Sequence, residues 1–327
     1  MANIGYIQVN RHCNNACHFC SNPSNGQNIS YEKGVEIIDD FIVRKYRGVI
    51  FTGGEPTLSP DLSRWIAYAR EAGIESRIIS NGMMCASLPY MKKLADAGLE
   101  LVHFSVYSYN PKIHDFLTDT PGSWKRLMLS IGHAHSLGVR VQINTAINHY
   151  NQSHLDVTVQ FLTKQFPKLQ HFVWNNLDPL MMRKTDTALS TIPDFAAFEL
   201  PLRRAMQYLE STNRTFRVER VPLCYMRGFE HFSTETRKIV KDEERIVHFL
   251  DEREIVEQKS EWFVHDKGEA CKSCDLNPIC AGIWLAKPAT IFGTDHPGYY
   301  DFVEFRTQKL TLDERQKIID TIKKETD

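Results

Sequence analysis

Three times along this chain an amphipathic helical segment runs into a glycine and then into branched apolar residues: "AREAGIESRIIS", "KLADAGLELVHFSV" and "AHSLGVRVQINTAI". Each reads as helix, cap and strand, with Gly73, Gly98 and Gly138 at the left-handed cap position that glycine enters without steric penalty. Upstream, "IGYIQVN" and "RGVIFTG" have strand composition, and between them a helix opening at Ser30 carries Val35, Ile38, Phe41 and Ile42 at helical spacing. A helix around 152–166 precedes the strand-like "LQHFVWNN". Six strands, near residues 4, 47, 74, 99, 139 and 169, therefore alternate with helices. That rhythm requires a parallel sheet covered by helices, either doubly wound or a whole or partial barrel, and six units favour an α/β fold of the partial (β/α)6 barrel type.

After about residue 180 the alternation stops. A helical stretch at 194–211, interrupted by Pro201, leads into "TFRVERVPLC", a charged segment, the strand-like runs "RIVHFLDEREIVEQ" and "EWFVHD", and a group of cysteines. The expected organisation is a barrel over 1–214, a small α+β domain over 215–300 and a C-terminal helix within 301–327. Lysine and arginine number 39 against 40 acidic residues, with no long basic patch, so nucleic acid is not an expected partner. The N-terminal residues lack the features of a signal peptide, and no run approaches a membrane span, which predicts a soluble cytoplasmic protein with no membrane partner. Six of the eight cysteines fall into two tight groups, a distribution that favours metal binding over disulfides in a long cytosolic chain.

Cys13, Cys17 and Cys20 follow the first strand at its carboxyl end, where parallel βα architectures gather reactive groups. Three thiolates hold three irons of a [4Fe-4S] cube and leave the fourth iron open, whereas a structural zinc site closes with four protein ligands. Taken alone, the spacing also allows half of a zinc site, and "FTGGEP" also allows a plain glycine turn before a helix. Taken together and in order, the CxxxCxxC motif with Phe19 before its last cysteine, and the Phe51–Pro56 segment, resemble the radical S-adenosylmethionine (SAM) superfamily. The resemblance implies that the open iron takes the amino and carboxylate groups of SAM. An electron from the cluster then cleaves a carbon–sulfur bond and yields a 5′-deoxyadenosyl radical. It further implies that Phe19, Gly53 and Gly54 line the cofactor, the glycines letting backbone approach the methionyl part, and that Glu55 accepts from the SAM ammonium. Polar residues at the ends of later strands, Ser80, Asn81, Ser105 and Asn144, are then expected to contact its carboxylate and ribose.

The second group, "CKSCDLNPICAGIW", contains Cys271, Cys274 and Cys280. It resembles the auxiliary cluster domains called SPASM or, when shortened, Twitch. Trp284 stands where the fuller pattern has a cysteine and none follows Cys280, so the resemblance implies a shortened domain with one auxiliary [4Fe-4S] cluster. Cys224, in "VPLCYMRGF", is the expected fourth ligand; the alternatives are a free thiol that hands a hydrogen atom to a substrate radical, and inert packing. A zinc knuckle is the competing reading of the trio, and Cys85 reads as an ordinary core or loop residue.

The forty or so residues from Ser105 resemble the same region of SPASM and Twitch enzymes that modify peptides, including His114 and Asp115, whose simpler reading is capping and packing. "WNNLDP" offers Trp174, Asn175, Asn176 and Asp178 toward the barrel mouth as candidate substrate-binding groups, with Asp178 a candidate catalytic residue or equally a turn former. The implied function is modification of a ribosomally made peptide by oxidation, crosslinking or epimerisation. The alternative is a small-molecule radical dehydrogenase or epimerase in antibiotic or cofactor biosynthesis. Expected partners are a flavodoxin- or ferredoxin-type electron donor and, because the chain begins at its first barrel strand, a separate leader-peptide-binding protein.

Overall fold

The alternation seen in the sequence becomes a single curved sheet with helices packed on it. The structure is a computed structural model that describes residues 4–22, 24–177, 189–243, 246–250, 254–256, 265–284 and 303–325. Its first half runs β1 (Ile4–Asn10), α1 (Tyr31–Val43), β2 (Gly48–Gly53), α2 (Leu62–Glu71), β3 (Glu75–Ser80), α3 (Leu88–Ala97) and β4 (Leu101–Ser105). Then come α4 (Pro111–Thr118), α5 (Ser123–Ser136), β5 (Arg140–Ile147), α6 (Leu155–Gln165) and β6 (His171–Asn176). Each strand pairs in parallel with its predecessor, so every carboxyl end lies at the same rim. Gly73, Gly98 and Gly138 all have positive φ, as the caps require.

The α/β partial-barrel class holds, but the sheet has more strands than the six units predict. After α7 (Phe195–Ser211), the strand β7 (Thr215–Glu219) pairs in parallel with β6. Its residues had been placed at the start of the small domain. On the opposite edge, β8 (Ile246–His248) pairs in parallel with Tyr6 and Ile7 of β1, and β9 (Glu254–Val256) turns back antiparallel to it. The strand order is β7-β6-β5-β4-β3-β2-β1-β8-β9. The physical reason is that both edges of a six-stranded sheet present unpaired backbone groups, and these segments cover them. A short apolar run announces a strand and not its neighbour. Pro201 likewise lies inside α7 without ending it, because buried Phe195, Phe198, Leu202 and Leu209 hold the helix against the sheet.

Beyond the sheet, α8 (Thr234–Lys241), the two-residue strands β10 (His265–Asp266) and β11 (Ile283–Trp284), and the last helix α9 (Leu312–Lys324) complete the described chain. The C-terminal helix opens with Thr311 and Glu314 forming a reciprocal capping box. Among the described residues no helix is long and apolar enough to cross a membrane.

Trp65 shows how the helices are fixed to the sheet. It is fully buried, its ring stacked between Tyr31 and Phe51, and its indole N–H donates to the Tyr31 carbonyl at 3.0 Å. One side chain thus joins α2, the start of α1 and the middle of β2. Trp65→Ala removes that packing and leaves a cavity, so chemical denaturation should show a loss of about 3–5 kcal/mol.

Candidate functional site

The loop after β1 is held by backbone hydrogen bonds from two directions. From β2's end, the Gly54 N–H donates to Asn10 O at 2.8 Å and the Glu55 N–H to His12 O at 2.6 Å. From the end of α4, Thr118 O accepts from the Ala16 N–H at 3.0 Å and Leu117 O from the His18 N–H at 3.1 Å. Cys13, Cys17 and Cys20 are therefore presented by a loop fixed before and between its thiols. Phe19 is buried and packs edge-on against Tyr107, with ring centroids 4.9 Å apart.

The glycines at the turn act on this loop directly. A Cβ on Gly53 would lie 2.2 Å from Asn10 O, and one on Gly54 would lie 2.2 Å from His12 O. Gly53 also has φ of 136°, outside the comfortable range of other residues. The close approach they permit is therefore, first of all, that of the cysteine loop to β2. Whatever approach to SAM they allow comes in addition.

Glu55 sits at the bottom of the site, 1% exposed. Its Oε1 accepts from the Thr57 N–H at 3.1 Å, the Thr57 hydroxyl at 2.5 Å and the Ser80 hydroxyl at 2.9 Å, while Oε2 accepts from the Asn81 N–H at 2.7 Å. Burial pushes its pKa up and these donors oppose the shift. A carboxylate offers about four lone-pair sites, so Oε1 is saturated and Oε2 keeps capacity for a further donor such as an ammonium.

A cavity of about 360 Å³ opens over these groups at the carboxyl ends of the strands. Cys13, Cys17, Cys20, Phe19, Gly53, Gly54, Glu55, Ser80, Ser105 and Asn144, all singled out from the sequence, line it together. So do Asn81, Asn175 and Asn176, whereas Trp174 is buried beneath and packs edge-on against Phe216. Tyr107 and Arg220 also line it and were not anticipated. The signal for Tyr107 is the period-two alternation continuing past Ser105; Arg220 depends on β7 being in the sheet. Asp178 lies outside the described residues.

Among the described residues no three histidine, cysteine or acidic groups converge within reach of a single metal ion. The fit of the loop to a cluster rests on its donor chemistry. Its three thiols share one cavity wall, and backbone N–H groups point at two of them: Asn15 N–H to Cys13 Sγ at 3.4 Å and Asn22 N–H to Cys20 Sγ at 3.3 Å. The Asn81 amide adds a contact of 3.6 Å to Cys13 Sγ. Such N–H···S contacts are the means by which proteins stabilise cluster thiolates and set their potentials. Burial pushes the Cys13 thiol up to about 11, so loading iron there expels a proton.

His114 and Asp115 turn out to hold the scaffold. Asp115 accepts from the Gly122 and Trp124 N–H groups at 2.7 and 2.8 Å and from the Ser123 hydroxyl at 2.8 Å, which closes the α4–α5 turn. His114 is buried, stacks on Tyr107 and accepts the Tyr107 N–H on Nδ1 at 3.2 Å. Burial pushes it down to about 4, so it is neutral at neutral pH. Since α4 supplies the carbonyls that hold the cysteine loop, these two residues act on the site from behind. Cys85 is fully buried core, as expected.

The second group lies on one short stretch of turns. Cys271 and Cys274 lie on and just after a 3-10 turn, Glu269–Ser273, with the Cys274 N–H donating to Cys271 O at 3.1 Å. Backbone N–H groups again point at sulfur: Gln308 to Cys274 and Gly282 to Cys280, both at 3.4 Å. The Gln308 side chain donates to Leu223 O at 2.8 Å, tying the turn that carries Cys224 to the same group. Burial pushes the Cys224 thiol up to about 11, and Cys280 and Cys271 add to the effect through their charges. Cys224 thus neighbours the trio. It is not among the residues lining the barrel cavity.

A curved parallel sheet with a three-thiol loop at the end of its first strand, faced by a Gly-Gly-Glu turn at the end of its second, defines a cluster-binding α/β partial barrel. Residues 7–162 match the family model of the Radical SAM superfamily, a range that runs from within β1 to within α6 and includes the cysteine loop and the Gly-Gly-Glu turn. This stretch is a Radical SAM domain, and that family implies a [4Fe-4S] cluster and SAM. It is 28% identical over 149 residues to an AdoMet-dependent heme synthase of Nitratidesulfovibrio vulgaris, covering 44% of this chain and 40% of the relative. To a PqqA peptide cyclase of Xanthomonas campestris pv. campestris it is 26% identical over 149 residues, covering 44% and 39%. The chain therefore covers less than half the length of these curated relatives. Its fold is that of anSMEcpe with bound AdoMet and the Kp18Cys peptide, with a TM-score of 0.65 at 15% identity over 98% of this chain and 99% of that one. It is also that of Streptococcus suis SuiB bound to S-adenosylmethionine, with a TM-score of 0.63 at 15% identity over 86% and 72%.

Gly54→Ala should push the loop off β2 without unfolding the sheet: iron retained after anaerobic reconstitution should fall at least several-fold while far-ultraviolet circular dichroism stays native. His114 leads to a pH effect. Its folded pKa lies below that of an unfolded histidine, near 6.5, so its contribution to stability is full above that value and is lost as pH falls toward 4. The denaturation midpoint of cluster-free protein should drop over this window, and His114→Gln should flatten the slope.

Proposed function

We propose that this chain is a radical SAM enzyme that cleaves SAM reductively and abstracts a hydrogen atom from a peptide substrate, leading to oxidation, a crosslink or epimerisation. One observation carries the reading: a single cavity at the strand ends gathers the three-thiol loop, the Gly53–Gly54 turn, the Glu55 carboxylate and the polar residues of β3 to β5. When bound, the cluster and SAM supply an electron and a 5′-deoxyadenosyl radical. The chain's own residues do the placing. Cys13, Cys17 and Cys20 hold three irons, Glu55 Oε2 receives the SAM ammonium, and Ser80, Ser105 and Asn144 offer hydrogen bonds to its carboxylate and ribose. Phe19 and Tyr107 form an apolar wall that shields the reacting region from water.

Cys224, Cys271, Cys274 and Cys280 are proposed to hold one auxiliary [4Fe-4S] cluster of the shortened, Twitch-like type, in the part of the chain that follows β7. Support comes from the Gln308 bridge between the Cys224 turn and Cys274, and from the absence of Cys224 from the cavity lining, which weakens the hydrogen-donor alternative. A peptide substrate is supported by likeness over nearly the full length to anSMEcpe, whose structure includes a peptide. An electron donor of flavodoxin or ferredoxin type, and a separate protein that presents the peptide, belong to this reading. The second reading, a small-molecule substrate, is favoured by the match to a heme synthase.

Reconstituted without oxygen and given SAM and a strong reductant, the protein should produce 5′-deoxyadenosine, and Cys13→Ala, Cys17→Ala or Cys20→Ala should abolish it. Cys224→Ala should lower iron content if the residue is a ligand. Full iron with an altered product would instead make it a hydrogen donor. An intact SAM pool under reduction defeats the proposal.

A further inference from the structure

The sheet has a second rim. At the amino ends of β4 to β7, opposite the cysteine loop, lies a cavity of about 480 Å³, a volume within the range of small-molecule sites. Arg140 and Gln142 enter it from the start of β5, two residues apart and so on one face of the strand. The turn between α6 and β6 adds Lys168 and Gln170, and the last turn of α5 adds His135. Among the described lining residues there is no aspartate or glutamate.

Most of these donors are unused by the chain. The side chains of Lys168, Gln142 and Gln170 have no hydrogen-bond or ion-pair partner among the described residues. Arg140 spends one nitrogen, Nη2, on Glu75 and Glu100, and its Nε and Nη1 remain for another acceptor. Glu75 is at the same time held by Arg77 at 2.9 and 2.8 Å, so its charge is already met from two sides. Behind Lys168, the Arg214 guanidinium donates to the carbonyls of Pro167, Leu169 and Thr212 and has no carboxylate among its partners. Positive charge therefore exceeds negative charge around the opening.

The two histidines of the rim register that field. Burial lowers the pKa of each, and cationic neighbours lower it further: Lys168 for His135, and Arg217 and Arg77 for His171. Basic groups at the carboxyl end of a helix also complement its dipole, and α5 and α6 both end here. That role needs no cavity, and it leaves the unfilled amides beside the charges unexplained.

We propose that this rim is a second binding site, which takes the phosphate or pyrophosphate group of a small metabolite. Arg140 and Lys168 supply the charge, and Gln142 and Gln170 supply neutral N–H donors. Donors that come from a strand and from a turn suit a tetrahedral oxyanion, and two unspent nitrogens of a guanidinium suit two of its oxygens. The inference does not rest on the proposed function, since none of these residues lines the cavity at the carboxyl rim.

Calorimetric titration of pyrophosphate into the anaerobically reconstituted protein, with SAM at saturation to keep the first cavity occupied, tests this. One equivalent should bind. Lys168→Ala should weaken it about tenfold, and Lys168→Glu should remove binding. Lys125→Ala, an exposed change at the other end of α5, should leave the affinity within about twofold. No binding, or an unchanged affinity in Lys168→Ala, overturns the proposal. Equal weakening by Lys125→Ala overturns it too, because it marks diffuse surface charge. Tricarballylate, whose carboxylates are planar, should bind at least several-fold more weakly, and equal affinity overturns the assignment to phosphate. Far-ultraviolet circular dichroism of each variant should stay native, since Lys168 is exposed and unpartnered. Formation of 5′-deoxyadenosine by the same sample reports on the proposed function alone: a preparation that binds pyrophosphate through Lys168 and leaves SAM whole keeps this site and defeats the earlier reading.

Discussion

The site depends on one constraint: a loop carrying three thiols must be pinned to the rim of the sheet without a side chain coming between. The backbone bonds from Gly54 and Glu55 to the chain at Asn10 and His12 do this from one side, and the carbonyls of Leu117 and Thr118 do it from the other. With no Cβ at 53 or 54 the two strands' extensions close to hydrogen-bonding distance. Everything that follows in the cavity, from the N–H···S contacts to the place of Phe19, inherits its position from that closure. A flexible loop of the same composition would hold its cysteines at varying separations and bind a preformed cube poorly.

Glu55 links this constraint to the chemistry. It is part of the same turn, so the hydrogen bond that fixes the cysteine loop and the carboxylate that faces the cavity belong to one residue. Its donors come from β3's end and from the turn itself, which ties three successive strand ends into one rigid unit. The peptide-enzyme-like motif around His114 and Asp115 serves the same end from the far side, by fixing α4. Residues that look catalytic by type, a histidine beside an aspartate, here act through hydrogen bonds to backbone.

The C-terminal part repeats the device on a smaller scale. Cys274 and Cys280 receive backbone N–H groups, and Gln308 uses its main chain for one cysteine and its side chain for the turn that bears another. Cys271, Cys274 and Cys280 lie within ten residues of one another, whereas Cys224 is brought in across almost fifty. A long-range polar bridge through Gln308 is what makes that distance immaterial.

Much of this was legible in the residues alone. The glycine-ended helices required a parallel α/β sheet, the three-thiol spacing pointed to an open-cornered cluster, and the Gly-Gly-Glu-Pro segment marked the second strand's end, because each signal is local and repeats a strict backbone or ligand requirement. The folded chain decided what depends on distant partners. Short runs at 215–219 and 246–248 joined the barrel sheet because its edges needed pairing. Gly53 and Gly54 proved to be spacers for their own chain, since a missing Cβ does not announce which atom approaches. Arg220 reached the cavity only because β7 is in the sheet, where a buried carboxylate fifteen residues onward, Glu235, accepts its backbone N–H. Sequence spells the groups that can bind; closure of the barrel determines which of them face one another.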